Sequence, residues 1–383
     1  MKVKEILALL PDEYIEELAS TTNVDYYAKK LKGKIVFKLL LLSVLTYKDN
    51  SLRRMESLFA SMSDEDKSDS SISISSISER LSTIKVDFFK NLYEKSVEIY
   101  GDILLKDKTP TIKYDSTIVS LSSKLLETGY HLKGGDSHHV RQLKFTIGHS
   151  TIPLIADLYV EQKYTSENVA LRETIANHTL SHECIRVFDR GISARKTYDT
   201  LIEKGTLFVT RINPVSKHEI IKTFPLEQQQ TSTLTIHSDE LVYLFADKGK
   251  KSKFPVRCIK AIQKQRQEPL FFITNKMDLT AVEISQIYKS RWEIETFFKF
   301  IKQELNFNHL INRSANGIEV MLYITLIASI LLIVYKQTNQ LKGYKIMKQK
   351  FLEELKWDTI TDIIIYCGGD PNKIEEIKPR NKT

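Results

Sequence analysis

The chain has 383 residues, of which 42% are hydrophobic and 27% are charged, and this composition predicts a globular protein of more than one unit. Its net charge of +8 favours a polyanionic partner, with nucleic acid ahead of an anionic membrane surface. The three cysteines lie too far apart in sequence for a disulfide framework or a zinc site, so we expect reduced thiols in a cytoplasm: Cys184, Cys258 and Cys367.

Residues 1–105 are predicted to form a helical domain. Apolar residues recur at helical spacing in segments 3–10, 12–19, 34–46, 51–60 and 87–100, and no convincing strand interrupts them. The serine-rich segment 68–82 is predicted to be a linker that leads into a helix. Five lysines suit contact with a phosphate backbone, although a solvated helix entrance explains them at least as well: Lys29, Lys30, Lys32, Lys34 and Lys38.

From residue 109 the pattern changes to alternating β-branched segments, which predict strands at 111–121, 140–149 and 152–160. We expect these three strands to pair in an antiparallel arrangement. Helix 167–177, strand 184–188, helix 194–204 and strand 206–211 follow. This order predicts an α/β fold, a mixed sheet flanked by helices as in ribonuclease H-like proteins, over residues 106–212 and 270–340.

Residues 213–269 interrupt this layout and are predicted to be a β-rich insertion. Strand 270–274 then returns to the main sheet and leads into a long helix at 280–307, which Thr280 and Glu283 open with a capping box. The apolar run 321–335 is shorter than the roughly 20 residues that a bilayer crossing needs, so it predicts a buried core helix. Residues 341–383 are predicted to be a helical region that docks on a partner subunit or on nucleic acid.

The predicted helix 280–307 carries four polar residues at spacings of three, four and seven: Tyr288, Arg291, Glu295 and Lys302. At about 100° per residue these side chains fall within an arc of roughly 60°, at the margin of the apolar face. Glu293 is expected to project to the far side. A carboxylate flanked by cations beside a core suits a site for metal ions and phosphates, whereas the alternative is an ordinary amphipathic helix with solvated ion pairs.

Two aspartates are candidate partners for Glu295. Asp115 lies inside the first predicted strand, where aspartate is disfavoured. Asp189 follows the apolar segment 184–188, so we expect it at the carboxyl end of a buried strand, where ligands collect in open α/β sheets. The alternatives are a solvent-facing residue on an amphipathic strand for Asp115 and a turn-forming Asp-Arg-Gly for Asp189.

Asp115, Asp189 and Glu295 come from three separate elements that could meet at one edge of the sheet. Three carboxylates held close together repel one another unless cations lie between them, and oxygen ligands of this kind suit Mg²⁺ or Mn²⁺. Two such ions can activate a water or a 3′-hydroxyl for phosphoryl displacement. No pair of histidines has zinc-ligand spacing. Three other carboxylates are weaker candidates, because each is predicted mid-element or on a helix surface: Asp157, Asp199 and Glu183.

The chain resembles the bacterial DDE transposases of the insertion sequence four family. The resemblance rests on Asp115, on Asp189 followed by Arg-Gly, on the insertion, and on the spacing Tyr-x2-Arg-x3-Glu-x6-Lys. The Tyr-Arg-Glu-Lys signature matches at every spacing and is specific, whereas each aspartate motif alone is weak. The resemblance covers residues 30–340 approximately.

This resemblance implies a DNA transposase that binds terminal inverted repeats and catalyses strand cleavage and strand transfer in cut-and-paste transposition. It implies that Asp115, Asp189 and Glu295 are catalytic and bind two divalent metal ions per active site, Mg²⁺ or Mn²⁺. The remaining signature residues and two further arginines are expected to contact DNA: Tyr288, Arg291, Lys302, Arg190 and Arg211.

The implied partners are double-stranded DNA, at transposon ends and target, and a second copy of the chain in a synaptic homodimer, with no membrane. We therefore expect a nucleoid-associated protein of the bacterial cytoplasm, with residues 1–105 as a DNA-binding domain and residues 341–383 as a candidate dimerisation region. The alternatives are a domesticated DNA-binding protein without catalysis and a non-transposing nuclease of the same fold.

Overall fold

The structure is a computed structural model that describes residues 1–62, 71–105, 111–122, 129–131, 140–178, 183–192, 194–226, 229–245, 249–309, 311–312 and 314–373. It divides into two compact units. We call Leu105–Lys299 the sheet unit, and we call Met1–Leu104 together with Phe300–Thr383 the helical unit.

The described residues contain twelve α-helices. Six belong to the first hundred residues: α1 (Val3–Ala8), α2 (Asp12–Thr22), α3 (Gly33–Thr46), α4 (Leu52–Ser61), α5 (Ile74–Thr83) and α6 (Val86–Leu104). Four accompany the sheet: α7 (Glu167–Asn177), α8 (Arg195–Glu203), α9 (Ala281–Lys289) and α10 (Trp292–Glu304), whose end lies in the helical unit. Two follow: α11 (Ala315–Thr338) and α12 (Tyr344–Tyr366).

Helix α11 forms the core of the helical unit. Every residue from Val320 to Tyr335 is buried, and the helix packs against α3, α5, α6 and α12. By length and composition α11 is apolar enough to cross a membrane, but 94% of its most apolar window is buried inside the protein. A helix that is apolar on all sides must be covered on all sides. The core helix predicted from the apolar run is therefore confirmed.

Residues 74–82 of the serine-rich segment are helical where a linker was predicted. Helix α5 begins after Ser73, whose hydroxyl accepts a hydrogen bond from the Ser76 N–H at 3.1 Å. Ile77 and Leu81 lie four residues apart on this helix, and both are buried. The linker was predicted to lead into a helix, and this helix begins earlier than expected, because serine is a good helix cap and because Ile77 and Leu81 bury one side of it.

The lysines before and within α3 include two that pair with acidic residues of α2. The Lys34 ammonium lies 3.0 Å from Asp12 and 2.5 Å from Glu16. The Lys38 ammonium lies 2.8 Å from the same Asp12 carboxylate. Lys34 and Lys38 therefore form ordinary ion pairs between neighbouring helices, as the alternative to a phosphate contact predicts.

In the described part of the chain, ten strands form one mixed sheet. They are β1 (Thr111–Ser122), β2 (Tyr130–His131), β3 (Val140–His149), β4 (Pro153–Tyr159), β5 (Ile185–Phe188), β6 (Phe208–Ile212), β7 (His218–Thr223), β8 (Leu234–Leu244), β9 (Val256–Gln263) and β10 (Pro269–Thr274). Their order is β2-β3-β1-β5-β6-β10-β9-β8-β7, with β4 paired to β3. The pairs β1–β5 and β5–β6 are parallel, whereas the other pairs are antiparallel.

This architecture confirms a mixed α/β sheet with flanking helices, including the antiparallel pairing of β1, β3 and β4. Strands β7, β8 and β9 come from the segment 213–269, and they continue the main sheet beyond β10 through the β10–β9 pair. Strand β8 has a register shift between Ile236 and Ser238, where it pairs with β9.

The sheet is covered on both faces next to β5. On one face Phe188 packs in a cluster with Leu171 of α7 and Tyr198 of α8. On the other face Ile185 and Val187 pack in a cluster with residues of α9. Burial on both faces explains why β5 reads as a continuous run of large side chains, and each buried aliphatic side chain contributes roughly 1.5–3 kcal/mol to folding.

The long helix predicted at 280–307 is two helices. The predicted capping box is present, since Thr280 accepts from the Glu283 N–H while Glu283 accepts from the Thr280 N–H. The helix then breaks at Ser290, where the N–H of Arg291 bonds to the Tyr288 carbonyl three residues back. Such i to i−3 bonds tighten a helix end, and α10 begins directly afterwards at Trp292.

Candidate active site

Asp115 and Asp189 occupy neighbouring positions on adjacent parallel strands. Strand β1 pairs with β5 in a register that sets Tyr114 opposite Phe188, so the residue after each of them reaches the same level of the sheet. Neighbouring strands lie about 4.8 Å apart, which places the two aspartates side by side where β5 ends. Their side chains are 20% and 38% exposed, respectively.

Arg211 lies beside Asp189 on the next strand. Strand β5 pairs with β6 in parallel, with Val187 opposite Val209, so Arg211 follows on the same face as Asp189. The Arg211 Nη2 atom lies 3.8 Å from Asp189 Oδ1. Three adjacent strands therefore present two carboxylates and a guanidinium in one row.

The break between α9 and α10 brings the other polar groups to this row. The Tyr288 hydroxyl, near the end of α9, donates a hydrogen bond to Asp189 Oδ1 at 3.0 Å. The Arg291 Nη2 atom donates to Glu295 Oε1 at 2.6 Å, and its Nη1 atom lies 3.9 Å from Asp115 Oδ2. A single guanidinium therefore links the carboxylate of α10 to that of β1.

Burial and the neighbouring charges shift the pKa values of three side chains in this cluster. Burial acts to raise the pKa of Asp189, but the backbone N–H of Arg190, the charge of Arg291 and the Tyr288 hydrogen bond outweigh it, so the pKa lies below its ordinary value. Burial and the neighbouring Asp189 raise the pKa of Tyr288 to about 12, so this phenol is neutral at pH 7 and can donate. Burial acts to lower the pKa of Arg291, but Tyr288, Asp189 and Glu295 raise it overall, and the guanidinium stays charged.

The chemistry of the donor set suits a hard divalent cation, although the carboxylates are arranged around a guanidinium and not around a common point. Among the residues that the structure describes, no group of three His, Cys, Asp or Glu side chains is spaced to hold a metal ion. Within the same residues, Arg291 and Arg211 each keep a buried Nε atom without a hydrogen-bond partner. Three partly exposed carboxylates supply the oxygen ligands that Mg²⁺ and Mn²⁺ prefer.

Two of the predicted DNA-contacting residues lie at the margin of this cluster or beyond it. Arg190 follows Asp189 directly; it contributes its backbone N–H to that carboxylate, and the residue is exposed. Lys302 lies in the last turn of α10, past the boundary at Lys299, and belongs to the helical unit. The structure thus assembles Tyr288 and Arg291 with the three carboxylates, while a DNA contact by any of these residues stays a prediction.

Two of the rival carboxylates hold other contacts. Asp157 on β4 lies 3.1 Å from the His178 Nε2 atom. Asp199 on α8 accepts hydrogen bonds from the backbone N–H groups of Lys253, at 3.0 Å, and Phe254, at 3.2 Å. Each of these carboxylates therefore ties together elements of the sheet unit.

Sequence reasoning missed an ion pair between Lys113 and Glu293. Lys113 lies two residues before Asp115 on the same face of β1, and its ammonium is 3.0 Å from the Glu293 carboxylate in the first turn of α10. The lysine side chain is only 8% exposed. The expectation that Glu293 projects to the far side was wrong, because Glu293 lies in the first turn of α10, where its carboxylate reaches the Lys113 ammonium of β1. The period-2 alternation of β1, which places Lys113 with Asp115, was the available signal.

Comparison with known proteins identifies relatives of this chain. The family model for the transposase DDE domain matches residues 107–331, more than half of the chain. A putative transposase of Sinorhizobium fredii is 24% identical over 155 residues, which cover 40% of this chain and 43% of the relative. A probable transposase for an insertion sequence element of Geobacillus stearothermophilus is 24% identical over 157 residues, or 41% of each chain.

A putative transposase for an insertion sequence element of Synechocystis is 42% identical over 50 residues, which cover 13% of this chain and 15% of the relative. The alignments with these three curated relatives therefore span less than half the length of each relative.

The fold and the site define a mixed α/β protein with a cluster of carboxylates where its parallel strands meet α9 and α10. The chain belongs to the family of DDE transposases, because the family model matches through most of the sheet unit and beyond it. Domains of this family generally use divalent metal ions. The family predicted from the Tyr-Arg-Glu-Lys signature is therefore confirmed.

Proposed function

We propose that this protein is a DNA transposase that binds terminal inverted repeats and moves DNA by cut-and-paste strand cleavage and strand transfer. The observation that most supports this function is the cluster in which the Arg291 guanidinium contacts Asp115 and Glu295 while the Tyr288 hydroxyl donates to Asp189. The proposed fold is ribonuclease H-like, with residues 213–269 as an insertion that extends the sheet.

In this proposal, Asp115, Asp189 and Glu295 are the catalytic carboxylates and would hold two Mg²⁺ or Mn²⁺ ions. The bound ions would activate a water or a 3′-hydroxyl and stabilise the leaving oxygen of an in-line phosphoryl displacement. The lowered pKa of Asp189 supports the role, because an ionised carboxylate is the form that binds a cation at neutral pH. The partial exposure of all three side chains leaves them accessible to DNA.

Around these carboxylates, Tyr288, Arg291 and Arg211 would hold the phosphates next to the cut. The Tyr288 phenol is neutral and donates a hydrogen bond, and a guanidinium can contact two phosphate oxygens at once. Arg190 would extend this contact along the DNA backbone, and Lys302 would hold a DNA phosphate in the helical unit. Arg291→Ala is expected to weaken the binding or positioning of the transposon end, and unchanged affinity and rate would contradict its phosphate role.

We place DNA binding also in residues 1–105, and the dimer contact of the synaptic complex in the C-terminal region. The exposed pair Tyr26 and Tyr27, followed by Lys29 and Lys30, supports the first assignment, because aromatic rings and cations suit DNA. Exposed apolar side chains on α12 support the second: Ile346, Ile363, Ile365 and Tyr366. Light scattering of the full chain with and without end DNA tests the dimer.

The test of the catalytic role is metal-dependent cleavage of an end-bearing DNA by the purified protein. Asp115→Asn, Asp189→Asn and Glu295→Gln should abolish nicking while leaving DNA affinity close to that of the wild type. Glu268→Gln is the matched control, since this carboxylate is exposed on the loop before β10 and its loss should leave cleavage unchanged. Cleavage that persists in all three variants would refute the assignment.

The same assay separates the two alternative functions. A domesticated DNA-binding protein would bind the end without cutting it, with or without Mg²⁺. A non-transposing nuclease of the same fold would cut the end but would not join it to a target molecule. Strand-transfer products that appear only with intact Asp115, Asp189 and Glu295 support the transposase.

A further inference from the structure

A cavity of about 600 Å³ lies between α7 and α8, on the opposite face of the sheet from the candidate active site. Arg186 of β5 lines this cavity. Because side chains alternate along a strand, Arg186 points away from Ile185 and Val187, which pack toward α9. Asp189 follows Val187 at the same spacing, so it belongs to the α9 face. The cavity is therefore separate from the carboxylate cluster.

Arg186 is a buried cation whose charge is not compensated by a carboxylate. The residue is 5% exposed, and its Nη1 atom donates to the Cys184 carbonyl at 3.1 Å. In the described part of the chain its Nε atom has no hydrogen-bond partner, and none of the ion pairs formed there includes Arg186. The nearby Tyr114 does not neutralise it, because burial raises the pKa of this phenol far above 7.

A guanidinium has five N–H donors, and burying it without an anion is costly. An arrangement of this kind is expected where a ligand supplies the missing negative charge. The donors and the charge of Arg186 match the oxygens of a phosphate group, which arginine binds with two parallel hydrogen bonds.

Further cations surround the same cavity. Arg172 on α7, Lys196 on α8 and Lys204 after α8 line it, and all three are exposed. Among the described residues none of these three has an ion-pair partner. The one carboxylate in the described lining is Glu173, which already accepts a hydrogen bond from the Tyr164 hydroxyl at 2.6 Å. The lining therefore carries a strong positive charge, and Arg186, the buried cation among these residues, has no anion to compensate it in the part of the chain that the structure describes.

We infer that the cavity between α7 and α8 is a second phosphate-binding site, in which Arg186 takes a backbone phosphate of DNA with Lys196 and Lys204 at the rim. The identification of DNA as the source of the phosphate rests on the proposed function. The site itself rests on the buried guanidinium and the positive lining. DNA held there would engage the face of the sheet unit opposite the carboxylates.

The first test is thermal unfolding of the full chain with and without 10 mM inorganic phosphate, at ionic strength matched with sodium chloride. Phosphate is expected to raise the Tm of the wild type by about 2–4 °C. Lys196→Gln/Lys204→Gln should lose this shift, whereas Lys217→Gln/Lys250→Gln, with the same change in net charge at exposed positions, should keep it.

Arg186→Met separates a ligand site from a structural role. It should lose the phosphate shift and unfold at the wild-type Tm or above in phosphate-free buffer, because it removes an uncompensated buried charge. If this variant fails to fold, the Lys196→Gln/Lys204→Gln variant decides. A wild type that phosphate does not stabilise, or a shift that the pocket variants keep, overturns the site.

The second test identifies the source of the phosphate. Fluorescence anisotropy measures the affinity of the wild type and the pocket variants for a 30-base-pair duplex between 0.05 and 0.2 M salt. For each phosphate contact that a variant loses, the slope of log affinity against log salt concentration should be shallower by about 0.9, and the affinity at 0.1 M salt should be about eightfold lower. Loss of the phosphate shift with unchanged duplex binding would mean that a free phosphate compound occupies the site, and it overturns the DNA occupant.

These readouts are independent of catalysis. Asp115→Asn should abolish cleavage and leave both the phosphate shift and the duplex slope as in the wild type. Unchanged duplex binding by the pocket variants would therefore overturn the DNA occupant of the second site alone, whereas a wild type that fails to cleave end DNA would refute the proposed function alone.

Discussion

Arg291 carries the charge that balances the carboxylate cluster, and replacing it with methionine tests this balance. Its guanidinium lies 2.6 Å from Glu295 and 3.9 Å from Asp115, and its side chain is 9% exposed. Arg291→Met keeps most of the apolar stem and removes the charge. The variant leaves neighbouring carboxylates without their shared partner, so the folded state should lose stability.

The size of this loss follows from the two contacts. A hydrogen bond between charged groups contributes about 1.5–3 kcal/mol. Glu295 is 34% exposed, so solvent screening favours the lower end of that range. The weaker attraction to Asp115, at 3.9 Å, is partly offset by the desolvation of the buried guanidinium. We expect Arg291→Met to lower the free energy of unfolding by about 2 kcal/mol at pH 7.

Urea unfolding of four proteins measures the pair directly: the wild type, Arg291→Met, Glu295→Gln and the double variant. The coupling energy between the two positions should be about 1 kcal/mol or more. Lys289→Met, at an exposed lysine of the same segment, should change stability by less than about 0.5 kcal/mol. A coupling energy near zero would refute the reasoning, because it would mean that the short contact has no energetic consequence.

Three further variants test other charges of the sheet unit. Asp189→Asn removes a carboxylate whose pKa is lowered by folding. The wild type should therefore be more stable than this variant by a constant amount above about pH 5, and should lose that advantage as the pH falls through the folded pKa. Urea titrations at several pH values measure this difference, and an advantage of the wild type that grows on acidification would contradict the predicted sign. Glu293→Gln should cost less than about 1 kcal/mol, because this partner of Lys113 is 55% exposed, and a loss above about 2 kcal/mol in the same assay would contradict a surface ion pair. Asp239→Asn leaves the Arg257 guanidinium, 7% exposed, without its buried partner, so thermal unfolding should show a loss of about 3–5 kcal/mol, and a loss below about 1 kcal/mol would be inconsistent with the pair.

Much of the candidate site could be found from the sequence because its signals are local. Asp115 interrupts an alternating strand, Asp189 follows a fully apolar one, and the i, i+4 spacing of Arg291 and Glu295 predicts the contact that is observed at 2.6 Å. Each signal involves residues fewer than about eight apart, over which strand and helix periodicity decide which side chains share a face.

The predictions that were wrong concern features of the fold that the periodicity of neighbouring residues does not determine. One unbroken helix was predicted at 280–307, but the chain turns at Ser290, and Glu293 pairs with Lys113 of a strand far away in the sequence. The serine-rich segment looked like a linker because the two buried residues of its helix, Ile77 and Leu81, are a weak pattern on their own. Docking against the rest of the helical unit stabilises this short helix, since isolated helices of its length are marginal in water.

The sequence by itself determined the mixed α/β class, the core helix over the apolar run 321–335, the family signature and the three candidate carboxylates. Only the tertiary structure decided that Arg291 is shared between Asp115 and Glu295, and that Arg186 is buried beside a positively lined cavity. The physical reason is that the spacing of neighbouring residues follows from the regular backbone, whereas contacts between residues on different strands and helices depend on how the sheet and its helices pack, which no local pattern encodes.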